Sequence, residues 1–584
     1  MQSKDTKKIF FLKTRLEWLQ VILGFVILLI FGSLIYLQGF RYSYYKMEAS
    51  NEQVKRLAIP AKRGQIYGMS FGNPVPLVLN EPFYDLFVDP TVLKKHDEVY
   101  EKLMQVAGGN LVSGDIRSLM RKTGTQYVVL AKGLSRRQKE MIEESNFYGV
   151  GFKDYGKRFY PEGNLASQVL GFVNSEGNGQ YGVEGFLDSK LRGKDGVLKT
   201  VTDISNTPLS IGNNNISVPV ENGKDVVLTI DRNVQYQVEK VLEENLKKIG
   251  ANKGSVIVMD PQTGHVLSMA NFPTYNPSEY NKVTDASDFI NGTISMPYEP
   301  GSVIKTFTVA TGINEGVITP SSTYVNTDSI KVDDITITNS SKGQLGTITM
   351  QHALNWSLNT GMVTIAERLG DGSYITRKAR DTIYDYDYNR FRLGKKTGIE
   401  LSGEQAGRII SPDEEQGNAV RYSNMSFGQG LDLTMVQVAS AFSAVVNGGK
   451  YYKPTVIAGS IDDQGKFVKN TVDDSKANVI KPETSETVKN MLVEARGVFK
   501  SRDKKGYTIG GKTGTSQTIE SGNYNNDQTI GTYLGFGGDD TPRYVIMVQV
   551  SGKNMNLEGG KHAQPIFTEI SNWMLNYLKI KPKE

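Results

Sequence analysis

The stretch Tyr298-Glu-Pro-Gly-Ser-Val-Ile-Lys-Thr-Phe-Thr-Val-Ala-Thr-Gly312 decides how this sequence is interpreted. Its Pro-Gly start and its apolar residues predict the beginning of a buried helix, with Ser302 at the helix N-terminus. Lys305 then lies one turn along the same face, near enough to accept the Ser302 proton if burial lowers its pKa. Backbone N–H groups at the helix start can stabilise a developing oxyanion. The stretch therefore predicts a serine nucleophile with a lysine base.

A second motif, Lys512-Thr-Gly-Thr515, lies among strand signals. It follows Tyr507-Thr-Ile-Gly-Gly511 and precedes Thr532-Tyr-Leu-Gly-Phe536 and Tyr544-Val-Ile-Met-Val-Gln-Val550. Gly, Asp and Pro turns separate these segments, which predicts an antiparallel meander. Glycines on both sides of Lys512 let a substrate backbone approach the strand edge, so a peptide can bind there as an added strand.

A third motif, Ser357-Leu358-Asn359, interrupts a segment that is apolar at helical spacing from Met350 to Glu367. Taken alone, it predicts a turn between two helices that is capped by Ser357 or Asn359. Together with a Ser-x-x-Lys and a Lys-Thr-Gly motif, the same residues become candidate proton handlers. Ser521-Gly522-Asn523 has the same pattern and is interpreted only as a turn.

The first two motifs also occur elsewhere, and their surroundings separate the copies. The Ser-x-x-Lys copy at Ser43 lies in Tyr-rich sequence, and the copy at Ser501 lies in a charged turn that offers no wall against water. The Lys-Thr-Gly copies that begin at Lys122 and Lys396 lack flanking strand sequence. The copies quoted above are therefore the functional candidates.

The three motifs together resemble those of a class B penicillin-binding protein, a monofunctional peptidoglycan D,D-transpeptidase of the bacterial cell wall. The resemblance covers nearly the whole chain. Further family-like segments are Arg63-Gly-Gln-Ile-Tyr67, Arg158-Phe-Tyr-Pro161, Leu165-Ala-Ser-Gln-Val-Leu-Gly-Phe172, Gly182-Val-Glu184, Gly193-Lys-Asp-Gly196, Leu228-Thr-Ile-Asp231, Met259-Asp-Pro-Gln-Thr-Gly264, Ser426-Phe-Gly-Gln-Gly430 and Asn447-Gly-Gly449. In the family the first of these usually continues into Asp-Arg-Asn-Gly, whereas this chain continues as Gly68-Met-Ser-Phe-Gly72.

The resemblance implies an α+β multidomain fold. We expect a cytoplasmic tail at 1–18, a transmembrane helix at 19–38 and a mixed α/β pedestal of the dimerisation type at 39–223. The serine penicillin-recognising transpeptidase domain, an antiparallel sheet covered by helices, is expected at 224–584.

Local patterns add detail to the expected transpeptidase domain. They predict a strand at 225–230, a helix from about Val234 to Leu246, and strands at 254–260 and 265–270 that are joined by a turn. A terminal helix is predicted from Pro565 to Leu578, because apolar residues recur there at helical spacing. The fold implied by the resemblance packs both ends of this domain on one central sheet.

The resemblance also implies the site residues and their roles. The catalytic residues are Ser302, Lys305, Ser357, Asn359 and Lys512, and the substrate-binding residues are Thr513, Gly514 and Thr515. Ser357 relays a proton to the leaving amine, and Asn359 orients Lys305. Lys512 supplies positive field, and the hydroxyls of Thr513 and Thr515 bind the terminal carboxylate. The backbone N–H groups of Ser302 and Thr515 form the oxyanion hole.

The implied substrates are stem peptides that end in D-Ala-D-Ala, and β-lactams should acylate the same serine. The implied partners are a SEDS-type glycan polymerase and other wall-synthesis membrane proteins. The compact length and the absence of an appended C-terminal module favour a septal role. The alternatives are a D,D-carboxypeptidase or β-lactamase on the same fold, or a catalytically idle β-lactam sensor or scaffold.

The composition of the 584-residue chain excludes several classes of site. The chain is 39% hydrophobic and contains no cysteine. The absence of cysteine excludes disulfides, thiolate nucleophiles and cysteine-based metal sites. Its four histidines are scattered without metal-ligand spacing. We therefore expect no cofactor and no metal, and we assign the acid–base chemistry to lysine and serine.

The N-terminal region predicts a membrane anchor. The segment from Leu19 to Leu37 contains no charged residue, is long enough to span a hydrocarbon core and is not followed by an Ala-x-Ala-like cleavage site. Five basic and two acidic residues precede it, and this flank of net charge +3 predicts a cytoplasmic N-terminus and an extracytoplasmic catalytic domain. Only +2 of the overall +5 is left for the rest of the chain, which gives no basis for nucleic-acid binding.

Overall fold

The structure, a computed structural model, describes residues 15–45, 54–201, 216–471, 475–476, 478–498, 502–520 and 523–583. Its contacts divide the chain into two compact units. The first unit contains Met1–Ala61 and Lys194–Asn222, and the second contains Lys62–Gly193 and Gly223–Glu584.

The strands of the described residues are numbered in chain order. They are β1 Val54–Ile59, β2 Ile66–Ser70, β3 Asn73–Val88, β4 Val128–Leu134, β5 Val150–Phe159, β6 Phe172–Val173, β7 Gly179–Gln180, β8 Gly196–Val201, β9 Ile216–Val218, β10 Val226–Asp231, β11 Lys253–Met259, β12 Val266–Phe272, β13 Thr323–Asn326, β14 Ser329–Val332, β15 Ile335–Thr338, β16 Gly346–Thr349, β17 Tyr451–Tyr452, β18 Ile457–Ile461, β19 Phe467–Lys469, β20 Ser475–Lys476, β21 Thr508–Glu520, β22 Asn523–Gly538 and β23 Pro542–Ser551.

The α-helices of the described residues are Arg15–Ile35, His96–Val106, Ile116–Met120, Arg136–Glu143, Ser167–Leu170, Gly182–Phe186, Asp188–Arg192, Arg232–Ile249, Gly292–Ser295, Lys305–Asn314, Met350–Asn355, Asn359–Arg368, Arg377–Tyr384, Ala419–Met425, Met435–Val446, Pro482–Gly497 and Gln564–Tyr577. Short 3₁₀ and π-helical turns are Tyr36–Phe40, Gly108–Asn110, Pro277–Lys282, Ala286–Phe289, Gly301–Ile304, Asp385–Arg390 and Gly559–Ala563.

The first unit contains the predicted apolar segment and a small sheet. Residues from Arg15 to Phe40 form one helix that is long and apolar enough to cross a membrane, and its side chains are exposed. Exposed apolar side chains all around a helix are typical of a segment that faces lipid. The sheet has the antiparallel order β1-β8-β9.

The second unit begins with a sheet that joins distant parts of the sequence. Its order is β19-β18-β10-β2-β3-β4, and β5 also pairs with β3. Strand β10, predicted at 225–230, pairs in parallel with β2 and antiparallel with β18. The side chains of β3 and β4 pack with helix His96–Val106 in a separate hydrophobic cluster.

A five-stranded antiparallel sheet lies at the centre of the second unit, with the order β12-β11-β23-β22-β21. Side chains alternate between its two faces. In β11, Val256 and Val258 pack in one hydrophobic cluster, whereas Ile257 and Met259 pack in another. Both faces are therefore covered, as the continuous apolar pattern of β11 and β23 requires, and β21 forms one edge.

Two terminal helices cover one face of this sheet. Arg232–Ile249 and Gln564–Tyr577 both contribute to the cluster that contains Val256. The first helix extends beyond its predicted bounds, since the Asp231 carboxylate caps its N-terminus and Gly250, at φ +73°, ends it. The expected packing of both domain ends on one sheet is confirmed.

Helices Lys305–Asn314 and Met435–Val446 lie on the opposite face. Every residue of Met435–Val446 is buried, so this apolar helix belongs to the protein core. Lys305–Asn314 is also almost wholly buried. A serine and a lysine at its start are therefore held by a rigid, densely packed element.

Candidate active site

The nucleophile candidate lies on a tight turn in front of the buried helix. The sequence predicts Ser302 at a helix N-terminus, whereas the structure forms a 3₁₀ turn, Gly301–Ile304, before the α-helix Lys305–Asn314. A 3₁₀ turn has three residues per turn, so side chains at i and i+3 eclipse. Lys305 is therefore aligned with Ser302 more closely than along an α-helix. Ser302 is partly exposed, while Gly301 and Val303 are buried.

Glycines allow the neighbouring segments to approach this turn. Gly301 has φ +65°, and a Cβ added to it would lie 2.8 Å from the Thr515 carbonyl oxygen. The N–H of Gly301 donates to the Gly428 carbonyl at 3.2 Å, and Gly428 has φ +99°. The segment Ser426–Gly430 was identified from the sequence only as family-like. In the structure it contacts the nucleophile turn through this hydrogen bond.

Lys305 is fully buried and surrounded by neutral acceptors. Its Nζ donates to the Ser357 carbonyl at 2.6 Å, to Ser357 Oγ at 3.1 Å and to Asn359 Oδ1 at 2.7 Å. Burial lowers the pKa of Lys305 well below its ordinary value, and the charge of Lys512 lowers it further. A lysine whose amine is neutral at physiological pH can act as a base.

The Ser357-Leu358-Asn359 motif forms the predicted turn between two helices, Met350–Asn355 and Asn359–Arg368. Ser357 has φ +56°, a conformation that is strained for a serine. The predicted capping is wrong, because the second helix begins after Leu358 without a side-chain cap. Both polar side chains instead contact Lys305, and Asn359 Nδ2 donates to the Thr338 carbonyl at 2.9 Å.

Lys512 approaches the same turn from edge strand β21. Its Nζ donates to Ser357 Oγ at 2.9 Å and to the Thr513 carbonyl at 3.0 Å. Burial lowers the pKa of Lys512 to about 7. Ser357 Oγ therefore lies between two lysine amines, which is the geometry required to pass a proton between them.

The remaining residues of the second motif line the open edge of β21. A Cβ added to Gly514 would lie 2.7 Å from the Pro300 carbonyl, so only glycine lets the strand approach the nucleophile turn this closely. Thr515 is exposed, and its Oγ1 accepts a hydrogen bond from the N–H of Gly559 at 3.1 Å. Thr513 is partly exposed. The structure thus brings all eight predicted site residues to one place.

The competing copies of the motifs lie elsewhere. Lys122 and Lys396 are exposed in turns or loops, as their sequence context predicts. Ser43 is exposed and lies a few residues after the end of the N-terminal helix Arg15–Phe40. Its partner Lys46, together with Ser501 and the pair Ser521-Gly522, lies outside the described residues.

The sequence analysis missed two groups of residues that join separate segments of the fold. Arg63, Arg158 and Glu184 come together in a buried ion cluster, although they lie in three separate family-like segments. Asn339 contacts the helix that begins with Asn359, through a hydrogen bond to the N–H of Thr360. The only signal for the first group was its location in three family-like segments, and Asn339 lies in none of the motifs.

Two family models match the chain in succession. The model described as Penicillin binding protein transpeptidase domain matches residues 254–572, which is more than half of the chain. The model described as Penicillin-binding Protein dimerisation domain matches residues 58–228. In the described ranges, no group of His, Cys, Asp and Glu side chains is arranged to hold a metal ion.

Individual proteins are similar over nearly the whole length. Stage V sporulation protein D of Bacillus subtilis is 29% identical over 543 residues, or 92% of this chain and 81% of that protein. The probable peptidoglycan D,D-transpeptidase PenA of Neisseria gonorrhoeae is 26% identical over 554 residues, or 94% of this chain and 90% of that protein.

The fold is similar to that of solved structures. The crystal structure of Penicillin Binding Protein 2X from Streptococcus thermophilus has a TM-score of 0.73 at 23% identity, covering 90% of this chain and 80% of that one. This similarity confirms the expected multidomain α+β fold. The apolar helix Arg15–Phe40, together with the family matches, indicates a membrane-anchored protein. The chain therefore belongs to the penicillin-binding protein transpeptidase family, as a class B penicillin-binding protein.

Proposed function

We propose that this chain is a peptidoglycan D,D-transpeptidase that cross-links stem peptides through an ester on Ser302. The observation that carries the proposal is the buried amine of Lys305. It lies one 3₁₀ turn from Ser302, and the acceptors of its hydrogen bonds, the Ser357 carbonyl, Ser357 Oγ and Asn359 Oδ1, are neutral. The similar protein PenA of Neisseria gonorrhoeae is named a probable peptidoglycan D,D-transpeptidase, which agrees with this proposal.

The first step is proton transfer to Lys305. A neutral Lys305 accepts the proton of Ser302 Oγ, and the oxygen attacks the carbonyl carbon of the penultimate D-alanine. The resulting oxyanion is held by the backbone N–H groups of Ser302 and Thr515, whose segments lie against each other at Gly301. The donor peptide lies along the open edge of β21, and its carboxylate is bound by the hydroxyls of Thr513 and Thr515.

The second step breaks the C–N bond of the donor. The leaving D-alanine amine takes a proton from Ser357, which is replenished from a lysine amine because Ser357 Oγ contacts both Lys305 and Lys512. An amine of a second stem peptide then attacks the ester, gives up a proton to the same relay and forms the cross-link. Ser302 Oγ leaves and is reprotonated, which restores the starting state.

A D,D-carboxypeptidase or a β-lactamase would pass the acyl group to water instead. An idle sensor would not need two buried lysines, which are costly to bury. The dimerisation-domain match at 58–228 and the membrane helix support the transpeptidase. An enzyme anchored in the membrane lies next to the growing wall, whose stem peptides can serve as acceptors.

The full-length protein in detergent should form a covalent adduct with penicillin on Ser302, shown by intact mass and peptide mapping. Ser302→Ala should fold and form no adduct. Supplied with glycan strands that carry stem peptides, the wild-type protein should produce cross-linked dimers. An adduct on another serine contradicts the site, and release of D-alanine without dimers favours the carboxypeptidase.

We also propose that the N-terminus is cytoplasmic and the catalytic domain extracytoplasmic, on the basis of the basic flank before Leu19. Protease added to intact spheroplasts should digest the chain beyond about residue 39. Protection of the catalytic domain would contradict this orientation.

The domain boundaries are proposed at 39–223 for the pedestal and 224–584 for the transpeptidase domain. The two family matches, which leave 229–253 between them, support two functional regions. Since β10 pairs with both β2 and β18, we expect the separate 224–584 fragment to be less stable than the same region in the full chain. Thermal unfolding of the fragment tests this expectation.

We propose a SEDS-type glycan polymerase as the partner of the membrane helix and pedestal, in septal wall synthesis. Such a polymerase would supply the strands that the transpeptidase cross-links. Co-purification from detergent-solubilised membranes tests the partner, and the position of a fluorescent fusion along the cell tests the septal role.

A further inference from the structure

The helix that presents Asn359 receives its N-terminal cap from a distant residue. Leu358 precedes the helix and has no side-chain oxygen to offer its free N–H groups. The N–H of Thr360 donates instead to Asn339 Oδ1, at 3.0 Å. Asn339 thus fixes the start of the helix at the residue that follows Asn359.

Asn339 is itself held firmly at the end of a hairpin. It follows β15, its main-chain N–H donates to the Asp328 carbonyl at 3.0 Å, and it is 2% exposed. Its Nδ2 donates to Asn326 Oδ1 at 3.1 Å. A buried amide with both ends hydrogen-bonded has one orientation, so its Oδ1 faces the helix start.

The adjacent residue, Thr338, orients the side chain of Asn359. The Thr338 carbonyl accepts a hydrogen bond from Asn359 Nδ2 at 2.9 Å. Only the nitrogen of an amide can donate to a carbonyl, so Asn359 Oδ1 must point the other way. It does so toward Lys305 Nζ, at 2.7 Å.

This orientation determines what the Lys305 amine can do. A neutral amine has two hydrogens and one lone pair. The Ser357 carbonyl and Asn359 Oδ1 are acceptors only, so they take the two hydrogens of the neutral amine. Ser357 Oγ, which accepts the third N–H of the charged form, then receives none, and the lone pair is left for a hydroxyl proton. A reversed Asn359 amide would donate an N–H to the lone pair, and Lys305 could no longer accept the proton of Ser302.

We propose that Asn339 is a positioning residue, which caps the Asn359 helix and holds Asn359 so that its Oδ1 faces Lys305. The inference rests on the proposed function, since it concerns the proton transfer from Ser302 to Lys305. Asn339 contacts neither lysine, and it acts through Thr360 and the neighbouring carbonyl of Thr338.

The test is the rate of acylation by a fluorescent penicillin, measured at several pH values on the full-length protein in detergent. Asn339→Ala removes the acceptor for the Thr360 N–H and frees the helix start. We expect the rate constant to fall about 10-fold, because small displacements of a catalytic group are costly. We also expect the acidic limb of the pH profile to move to higher pH, since a looser, wetter site desolvates Lys305 less.

Asn339→Ser provides a second variant if the alanine variant does not fold, because a water can occupy the vacated space and satisfy the hairpin. The serine hydroxyl is too short to replace the amide oxygen, so the same direction of change is expected. Asn314→Ala is the matched control. Asn314 is also a buried asparagine that joins two segments, through Tyr386 and the N–H of Lys481, and it ends the helix that begins with Lys305.

A structural role alone would lower the folded fraction in all three variants and leave the rate constant and pH profile of the folded fraction unchanged. That result for Asn339→Ala and Asn339→Ser would overturn the inference while leaving the proposed function intact. A wild-type protein that forms no adduct on Ser302 would instead overturn the proposed function. A slower rate with a shifted acidic limb in the Asn339 variants, but not in Asn314→Ala, supports the inference.

Discussion

Two clusters of buried cations in this chain differ in one respect. In the Glu184 cluster, formed by Arg63, Arg158 and Glu184, both guanidinium groups pair with a carboxylate that is 0% exposed. In the lysine cluster, formed by Lys305, Lys512, Ser357 and Asn359, every hydrogen-bond acceptor of the two amines is neutral within the described part of the chain.

The carboxylate decides what burial does to a cation. Burial lowers the pKa of Arg158, but the Glu184 charge opposes that shift, and Arg158 Nε lies 2.7 Å from Glu184 Oε1. Burial lowers the pKa of Lys305 in the same way, and its nearest charge, Lys512, adds to the shift. A paired cation remains charged and joins segments together, whereas an unpaired one becomes a base.

The largest effect is expected from Lys305→Met, which keeps the length of the side chain and removes its amine. Loss of a general base typically costs 10²–10⁴-fold, so acylation by penicillin should slow by at least about 100-fold. The free energy of unfolding should also rise by about 1–3 kcal/mol, because a buried amine is replaced by an apolar group. Stopped-flow acylation and denaturant unfolding measure the two changes.

A less stable Lys305→Met protein would mean that the amine contributes more through its hydrogen bonds than its burial costs. The comparison between the clusters would then be wrong. Ser302→Ala serves as the control, since it removes the acylated atom and leaves the lysine cluster in place.

The same substitution in the Glu184 cluster should have the opposite effect on stability. Arg158→Met removes the hydrogen bonds to Glu184, Asn80 and the Gly64 carbonyl. We expect the free energy of unfolding to fall by about 3 kcal/mol, at the low end for a broken buried pair because Arg63 still contacts Glu184. The rate constant for acylation of the folded protein should be unchanged, and stopped-flow acylation with penicillin, normalised to the number of active sites by titration, checks it. A rate constant that falls tenfold would show that this cluster also controls the chemistry.

The sequence predicted the Ser302–Lys305 pair better than the Glu184 cluster, for a physical reason. Ser302 and Lys305 are close in sequence, and the local turn brings them together, so spacing was sufficient. Ser357, Asn359 and Lys512 lie 52 or more positions from Lys305, and only the resemblance of the three motifs predicted that they meet it. The 3₁₀ form of that turn was missed, because it depends on Gly428 and Thr515, which approach from elsewhere in the fold.

Long-range contacts account for the other differences. Arg63, Arg158 and Glu184 are separated by up to 121 positions, and no local pattern indicates that they meet. The cap of the Asn359 helix was assigned to Ser357 or Asn359, because a single sequence cannot show that Asn339 supplies it from another hairpin. The strands of the central sheet were predicted well, since apolar runs between turn residues are a local signal.

The pH dependence of acylation should report both lysines. The rate should rise with pH as Lys305 loses its proton, and fall again near pH 7 as Lys512, whose pKa burial lowers to about 7, loses its charge. Lys512→Arg keeps a positive charge at all these pH values, so the alkaline limb should disappear. An alkaline limb that persists in this variant would show that another group titrates.

The same lysine gives an independent prediction for stability. Its folded pKa, about 7, is lower than its ordinary value of 10.5, so the unfolded chain binds more protons between these values. The free energy of unfolding should therefore rise from about pH 7 towards 10.5 and be lower below pH 7, where Lys512 is charged in both states. Lys512→Met should flatten this rise in urea unfolding measured across the same pH range.

The smallest effect is expected where a cation is paired but not buried. Arg232 donates to Glu162 Oε1 at 2.7 Å, but the two side chains are 39% and 32% exposed. Arg232→Met should lower the free energy of unfolding by no more than about 1 kcal/mol, because water already solvates both charges. Arg232 is also the first residue of its helix, where a positive charge is unfavourable, which reduces the loss further.

Raising the salt concentration should shrink the difference between wild type and variant in denaturant unfolding, since exposed charges are screened. A loss as large as that of Arg158→Met, insensitive to salt, would show that pairing rather than burial sets the contribution of these cations to stability.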